Sequence, residues 1–274
     1  MTEKVKLNNG AEMPWVGLGV FRMDNNDETQ AIIEKALAMG YRHIDTAAFY
    51  DNEEAVGKAL KNSGIPREEV FVTTKVWNEN QRQGTVKQAF EDSLRKLDTE
   101  YIDLYLIHWP VPGKFKETWK ILEEIYSTGR VKTIGVSNFK KHHLEELKEI
   151  STITPAVNQI ELHPYLTQQD DLEYCNQQGI RVEAWSPFAA NKFDLFKEKV
   201  LVDIADKHKK TTAQVILRWD YQRGVVVIPK SSNEKRLAAN IDIFDFELSA
   251  EEIAQINALN KNKRVGSDPD NFNF

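Results

Sequence analysis

The sequence predicts a (β/α)8 barrel of the TIM type, with an N-terminal β-hairpin and extra C-terminal helices, as one domain over residues 1–274. Strand-like and helix-like segments alternate eight times without a linker, a break in composition or an internal repeat. The strand segments are short apolar runs such as Tyr101 to Ile107, the kind covered on both faces in a parallel sheet. Polar residues stand at the carboxyl ends of several strands, and in such a barrel those ends all open onto one face.

Lys4 to Met13 alternates about Asn8-Asn9-Gly10, and Asn-Gly is a strong hairpin turn, so this segment reads as a lid hairpin. Val16 to Val20 is the first barrel strand. Its Gly17-x-Gly19 is no dinucleotide fingerprint, because Arg22 holds the third glycine position and a polar loop follows instead of a helix. These glycines instead suit a close approach of backbone or ligand. Ile32, Ile33, Ala36 and Leu37 share one face of a helix that Gly40 closes. Arg42 to Asp45 is the second strand, followed by a helix over 53–60, and Val70 to Val76 is the third. Val86, Phe90, Leu94 and Leu97 recur at helical spacing, and the fourth strand, Tyr101 to Ile107, leads into His108. A helix carrying Phe115, Trp119, Leu122 and Tyr126 stops at Gly129. The fifth, sixth and seventh strands are Val131 to Val136, Ala156 to Ile160 and Ile180 to Trp185, with helices between them and an irregular loop after the last. Two helices, 200–209 and 212–223, precede the eighth strand, Val225 to Pro229. Asn233 opens another helix, and Ser249-Ala250-Glu251-Glu252 is a capping box for the last one.

Hydrophobic residues at 41% and charged residues at 28% suit a globular protein with a full core. A net charge of -6 argues against nucleic acid or an anionic membrane as the main partner. The single Cys175 excludes an intramolecular disulfide and a multi-cysteine metal centre. No apolar leader and no run of membrane-spanning length is present, so a cytoplasmic monomer acting on a small molecule is expected.

Asp45, Lys75, His108, Ser137-Asn138, Asn158-Gln159 and Lys230-Ser231 stand at the ends of six different strands, and Tyr50 follows Asp45 by five residues. Singly, each has a plainer reading: a helix cap for Asp45, a solvated amine for Lys75, a core histidine for His108. Together they converge on one edge of the barrel.

From end to end the chain resembles the aldo-keto reductases. Gly40-Tyr41-Arg42-His43-Ile44-Asp45-Thr46-Ala47, with Glu53 and Val56-Gly57 beyond it, is similar to the family's first signature. Lys132 to Phe139 resembles the second, and Ile228 to Ser231 with Arg236 and Asn240 the third. The resemblance implies NADPH as cofactor and a catalytic set of Asp45, Tyr50, Lys75 and His108. It places Ser137, Asn138 and Gln159 on the nicotinamide carboxamide, with Trp185, followed by Ser186, stacked on the ring. It also assigns Ser186, Lys230, Ser231, Ser232, Arg236 and Asn240 to the cofactor, the cations Lys230 and Arg236 and the hydroxyls of Ser231 and Ser232 suiting a 2′-phosphate. Trp185 stands where Tyr or Phe is commoner, and Ala239 where an acid or amide is usual.

Hydride delivery to a carbonyl carbon leaves negative charge on oxygen, which a proton and fixed donors must meet. Tyr50 is the expected acid, and a free phenol has a pKa of about 10. A lysine cation about 4 Å away is worth about 4 kcal/mol at an effective dielectric of about 20, so Lys75 is expected to lower that value by about three units. Asp45 would hold Lys75 charged, and a neutral His108 would donate to the carbonyl oxygen. Val20, Phe21, Trp77 and Trp109 would line an apolar mouth. The short segment 189–195 and the brief tail 264–274 predict an open site for small aldehydes and α-dicarbonyls. His142-His143 with Glu145-Glu146 lacks zinc-protease spacing and reads as a solvated helix face, so no metal is expected. Two other functions fit the same features: a Schiff-base lyase using Lys75, or an NADPH-binding sensor without turnover.

Overall fold

The computed structural model describes residues 3–274. Strands β1 (Lys4–Lys6) and β2 (Glu12–Pro14) form an antiparallel hairpin with Val5 opposite Met13. Its Asn8 and Asn9 amides donate to the carbonyls of Pro155 and Lys132, both at 3.0 Å. Val5, Leu7 and Met13 pack with Phe71, Leu104, Val157 and Val226. The hairpin is therefore a plug at the amino-terminal end of the barrel, opposite the strand ends that carry the polar residues, and is not a lid over them.

The barrel strands follow in chain order: β3 (Leu18–Gly19), β4 (His43–Asp45), β5 (Phe71–Val76), β6 (Ile102–Ile107), β7 (Val131–Ser137), β8 (Val157–Glu161), β9 (Arg181–Trp185) and β10 (Val226–Val227). Each pairs in parallel with the next. The seam closes through a parallel bridge between Val16 and Val227, where the Gly17 N–H donates to the Val227 carbonyl at 2.8 Å. Both glycines of the Gly-x-Gly serve this seam. A Cβ on Gly17 would sit 2.5 Å from His43 Nδ1, and one on Gly19 2.8 Å from the Ile228 carbonyl oxygen.

Helices α1 (Asp27–Ala38), α2 (Glu53–Asn62), α3 (Asn78–Gln83), α4 (Val86–Leu97), α5 (Phe115–Ser127), α6 (Lys141–Lys148), α7 (Gln169–Gln177), α8 (Lys199–His208), α9 (Thr212–Gln222), α10 (Glu234–Ile241) and α11 (Ala250–Asn257) accompany the strands. The amphipathic helices seat their apolar stripes on the sheet, and Trp119, Phe90 and Trp219 are fully buried there. Short α3 was not expected, since Asn78 to Gln83 has no apolar period. The eighth strand is shorter than expected, because Pro229 offers no N–H to extend the ladder. After α11 the tail 264–274 returns across the carboxyl-end face. Glu161 accepts the N–H groups of Val265 and Gly266 at 2.6 and 3.0 Å, and Lys140 pairs with Asp268 and Asp270, each at 2.6 Å.

Candidate active site

Asp45 ends β4, and the loop after it rises through a 3₁₀ turn, Ala48–Tyr50, that carries Tyr50 over the barrel. Buried Asn52 fixes this loop: it accepts from the Thr46 hydroxyl at 2.6 Å and donates to the carbonyls of Val20 and Met23, both at 2.9 Å. Lys75 on β5 has no exposed surface. Its ammonium donates to both Asp45 oxygens at 2.8 Å, to the Thr46 carbonyl at 2.8 Å and to the Tyr50 hydroxyl at 3.4 Å. Burial works against the Lys75 charge, but Asp45, with Tyr50 and Glu183 beyond it, holds the amine above its ordinary value. An amine so charged, enclosed and fully bonded cannot attack a carbonyl, which removes the Schiff-base reading.

Tyr50 departs from expectation. Burial pushes its phenol up to about 12, outweighing the opposing pull of Lys75. The expected lowering fails chiefly because enclosure penalises a phenolate, and Asp45 also offsets part of the Lys75 field. His108, after β6, lies with its ring centroid 5.6 Å from that of Tyr50. Burial, and then Lys75, hold the imidazole well below its usual range, so it is neutral as expected.

Ser137 ends β7 and Asn138 follows it in the left-handed region at φ 64°. The Asn138 amide donates to the His108 carbonyl at 3.0 Å and to the Ser137 hydroxyl at 3.2 Å, and its oxygen accepts from the Trp185 indole at 2.8 Å. Ser137 donates to the Gln159 carbonyl at 2.9 Å. Asn158 lies outside this set and brackets Phe139 through both its N–H and its carbonyl. The Gln159 amide nitrogen donates to Asp45 Oδ2 and to Glu183 Oε2, both at 2.7 Å, which leaves its oxygen to accept from a ligand. Half-buried Trp185 carries Gly266 against one edge, where a Cβ would come within 2.4 Å of the ring. Ser186 follows it in a left-handed conformation, φ 51°.

Lys230, Ser232 and Arg236 are exposed beside the start of α10, whereas Ser231 and Asn240 are buried. Ser231 accepts the Asn233 N–H at 3.1 Å and so shapes the turn into the helix. The Lys230 amine donates to the Arg22 carbonyl at 2.9 Å and is held below its ordinary value by burial and by the Arg22 charge. A cationic cluster strained in this way fits an anion such as a phosphate group.

The mouth differs from the expectation in two ways. Val20 has no exposed surface and belongs to the wall beneath, while its neighbour Phe21 is exposed and rests on Tyr50 with ring centroids 4.9 Å apart. The mouth is also not open. Phe274 stacks on Trp77 at 5.8 Å and meets Trp109 edge-on at 5.2 Å, Phe272 packs on Trp109, and Asn78 and Arg82 donate to the Phe274 carbonyl oxygen at 3.1 and 2.7 Å. Sequence reasoning missed Phe49, which stacks on Trp77 at 3.8 Å. Its position next to Tyr50 was the available signal. The His142-His143 pair is a solvated face only at His142, which is exposed. His143 is buried, its Nδ1 accepts the Lys140 N–H at 3.2 Å, and both rings approach Asp270 of the tail.

A model described as the aldo/keto reductase family matches residues 16–261. The glyoxal reductase of Bacillus subtilis (strain 168) is 54% identical over 274 residues, covering 100% of this chain and 99% of that protein. Methylglyoxal reductase DkgA of Escherichia coli (strain K12) is 47% identical, covering 98% and 97% of the two chains. The crystal structure of a Bombyx mori aldo-keto reductase in complex with NADP superposes with a TM-score of 0.91 at 38% identity, covering 98% and 96%.

Proposed function

The chain belongs to the aldo/keto reductase family, and on that premise we propose that it reduces small aldehydes and α-dicarbonyls to alcohols with NADPH. The observation that carries the reading is the enclosed contact of Tyr50 with a Lys75 ammonium paired to Asp45, beside a neutral His108. NADPH, when bound, supplies the hydride. Trp185, the Gln159 oxygen, Ser137 and Asn138 would hold its nicotinamide end, and Lys230, Ser232 and Arg236 its phosphate end. Ser231 and Asn240 support that end from beneath.

As hydride reaches the carbonyl carbon, charge develops on the oxygen. His108 donates a hydrogen bond to that oxygen, and the Tyr50 hydroxyl transfers its proton to it. A phenol this weak keeps its proton until an alkoxide, a much stronger base, forms beside it. The Lys75 ammonium then steadies the phenolate until solvent returns a proton. Phe49, Trp77, Trp109 and the tail phenylalanines form an aromatic throat suited to short, flat carbonyl compounds.

Tyr50→Phe is expected to bind NADPH normally in a fluorescence titration while kcat with methylglyoxal falls by about 100-fold or more. Turnover near the wild-type rate in that variant overturns the assignment of the acid. The same titration run with NADH is expected to show weaker binding, through the cationic cluster at Lys230 and Arg236.

A further inference from the structure

We propose that Glu183 is a positioning residue for this reaction, a second buried acid whose own proton governs how readily Tyr50 releases its proton. The proposal rests on the reading of Tyr50 as proton donor.

Glu183 sits on β9 in register with Gln159 of β8 and Val226 of β10, and it has no exposed surface. The interior of such a barrel is ordinarily filled by branched apolar side chains, so an acid there is costly unless it is partnered. One partner is the Gln159 amide nitrogen, which lies 2.7 Å from Glu183 Oε2 and 2.7 Å from Asp45 Oδ2. An amide NH₂ carries two hydrogens, so each acid receives one and the two are held around a single nitrogen. The other oxygen, Oε1, accepts no hydrogen bond among the described residues and lies 3.7 Å from His43 Nε2. His43 Nε2 in turn lies 3.1 Å from the Thr73 hydroxyl.

The titratable groups facing Glu183 are therefore His43 and Asp45 of β4, with Lys75 of β5 and Tyr50 beyond Asp45. Burial and then Lys75 hold His43 down to about 3, so it carries no charge. Lys75 and Asp45 cancel. An ionised Glu183 would leave the group with one negative charge and no cation to answer it, and a Tyr50 phenolate would add a second. Burial first, and then Asp45, push the Glu183 carboxyl up to about 8. Enclosure and the neighbouring Asp45 thus favour the protonated acid at neutral pH, with Oε1 the oxygen free to carry the proton. In that state the Lys75–Asp45 pair faces no third charge, and the phenolate that forms at Tyr50 is the sole anion in excess. Once Glu183 ionises, the same phenolate is opposed by a like charge in an enclosed interior, and Tyr50 becomes the weaker acid.

The test is the pH profile of kcat for methylglyoxal reduction at saturating NADPH. The wild type is expected to decline in two steps, a partial one near pH 8 as Glu183 ionises and a complete one as Tyr50 does. Glu183→Gln and Glu183→Thr, both uncharged, are expected to show one step, displaced to lower pH than the wild-type final step by about half a unit or more. The acid limb of alcohol oxidation, which needs the phenolate, should move the same way. Folding of each variant is checked by circular dichroism and NADPH titration. A general packing role would lower kcat at every pH without moving the limbs. A single step in the wild type, or limbs in a folded variant that coincide with it, overturns the proposal. Retained turnover in Tyr50→Phe would instead sink the underlying assignment of the acid.

Discussion

Lys75 is the residue on which the site turns, because a fully enclosed ammonium exists only where something answers its charge. Asp45 does so with two 2.8 Å hydrogen bonds. Asp45→Asn is expected to cost about 3–5 kcal/mol of stability in urea unfolding, since it leaves the cation buried and unpaired. The double variant Asp45→Leu/Lys75→Met should regain most of that loss and remain inactive, which separates the electrostatic cost of the pair from its chemical use. The grouping of Asp45, Tyr50, Lys75 and His108 was legible in the sequence because each lies at or just past a strand end within recognisable local sequence. Glu183 was not. On a strand buried on both faces, the alternation of side chains gives no sign of which set points into the barrel. The acidity of Tyr50 was misjudged for a related reason. A pairwise sum over charges leaves out the burial that holds the phenol up, and it overlooks the part of the Lys75 field that Asp45 offsets.

At the scale of elements, local chemistry was read well where capping residues mark the ends. The box at the start of α11 forms as expected, with Ser249 Oγ accepting the Glu252 N–H at 3.2 Å and Glu252 accepting the Ser249 N–H at 2.8 Å. Glu252 also takes Lys207 at 2.6 Å and His208 at 3.0 Å, contacts between α11 and α8 that no local pattern could foretell. Burial works to raise the Glu252 carboxyl, but the Lys207, Ser249 and His208 hydrogen bonds bring it down to about 2. A depressed folded value means that its contribution is fully present above the unfolded glutamate value of about 4.3. The contribution disappears as pH falls from there to about 2. Glu252→Gln should therefore lose about 1–2 kcal/mol at neutral pH, as read by thermal or urea unfolding. Its difference from wild type should close under strongly acidic conditions. The elements that escaped notice were those without a period: polar α3, and the turns within 189–197.

For the molecule as a whole, the alternation of strands and helices was enough to identify the barrel, but the path of the tail was not. A run such as Arg264 to Phe274 has no periodicity, and its position is set by distant partners: Glu161 at the end of β8, Lys140 ahead of α6, and Trp77 and Trp109 at the mouth. Glu161→Gln weakens the acceptor for two tail N–H groups. It is expected to raise KM for the carbonyl substrate about five-fold with little change in kcat, and to speed proteolytic cleavage of the tail. An unchanged KM would mean that the aromatic cap does not contribute to binding.

The seam between Val16 and Val227 bears on the birth of the protein. Asp45, Lys75 and His108 emerge from the ribosome well before the strand that completes the ring, and the tail that covers the mouth comes later still. A nascent chain therefore holds these side chains for a long stretch of its synthesis without the enclosure that brings them together. Their enclosure waits on the eighth strand and the tail.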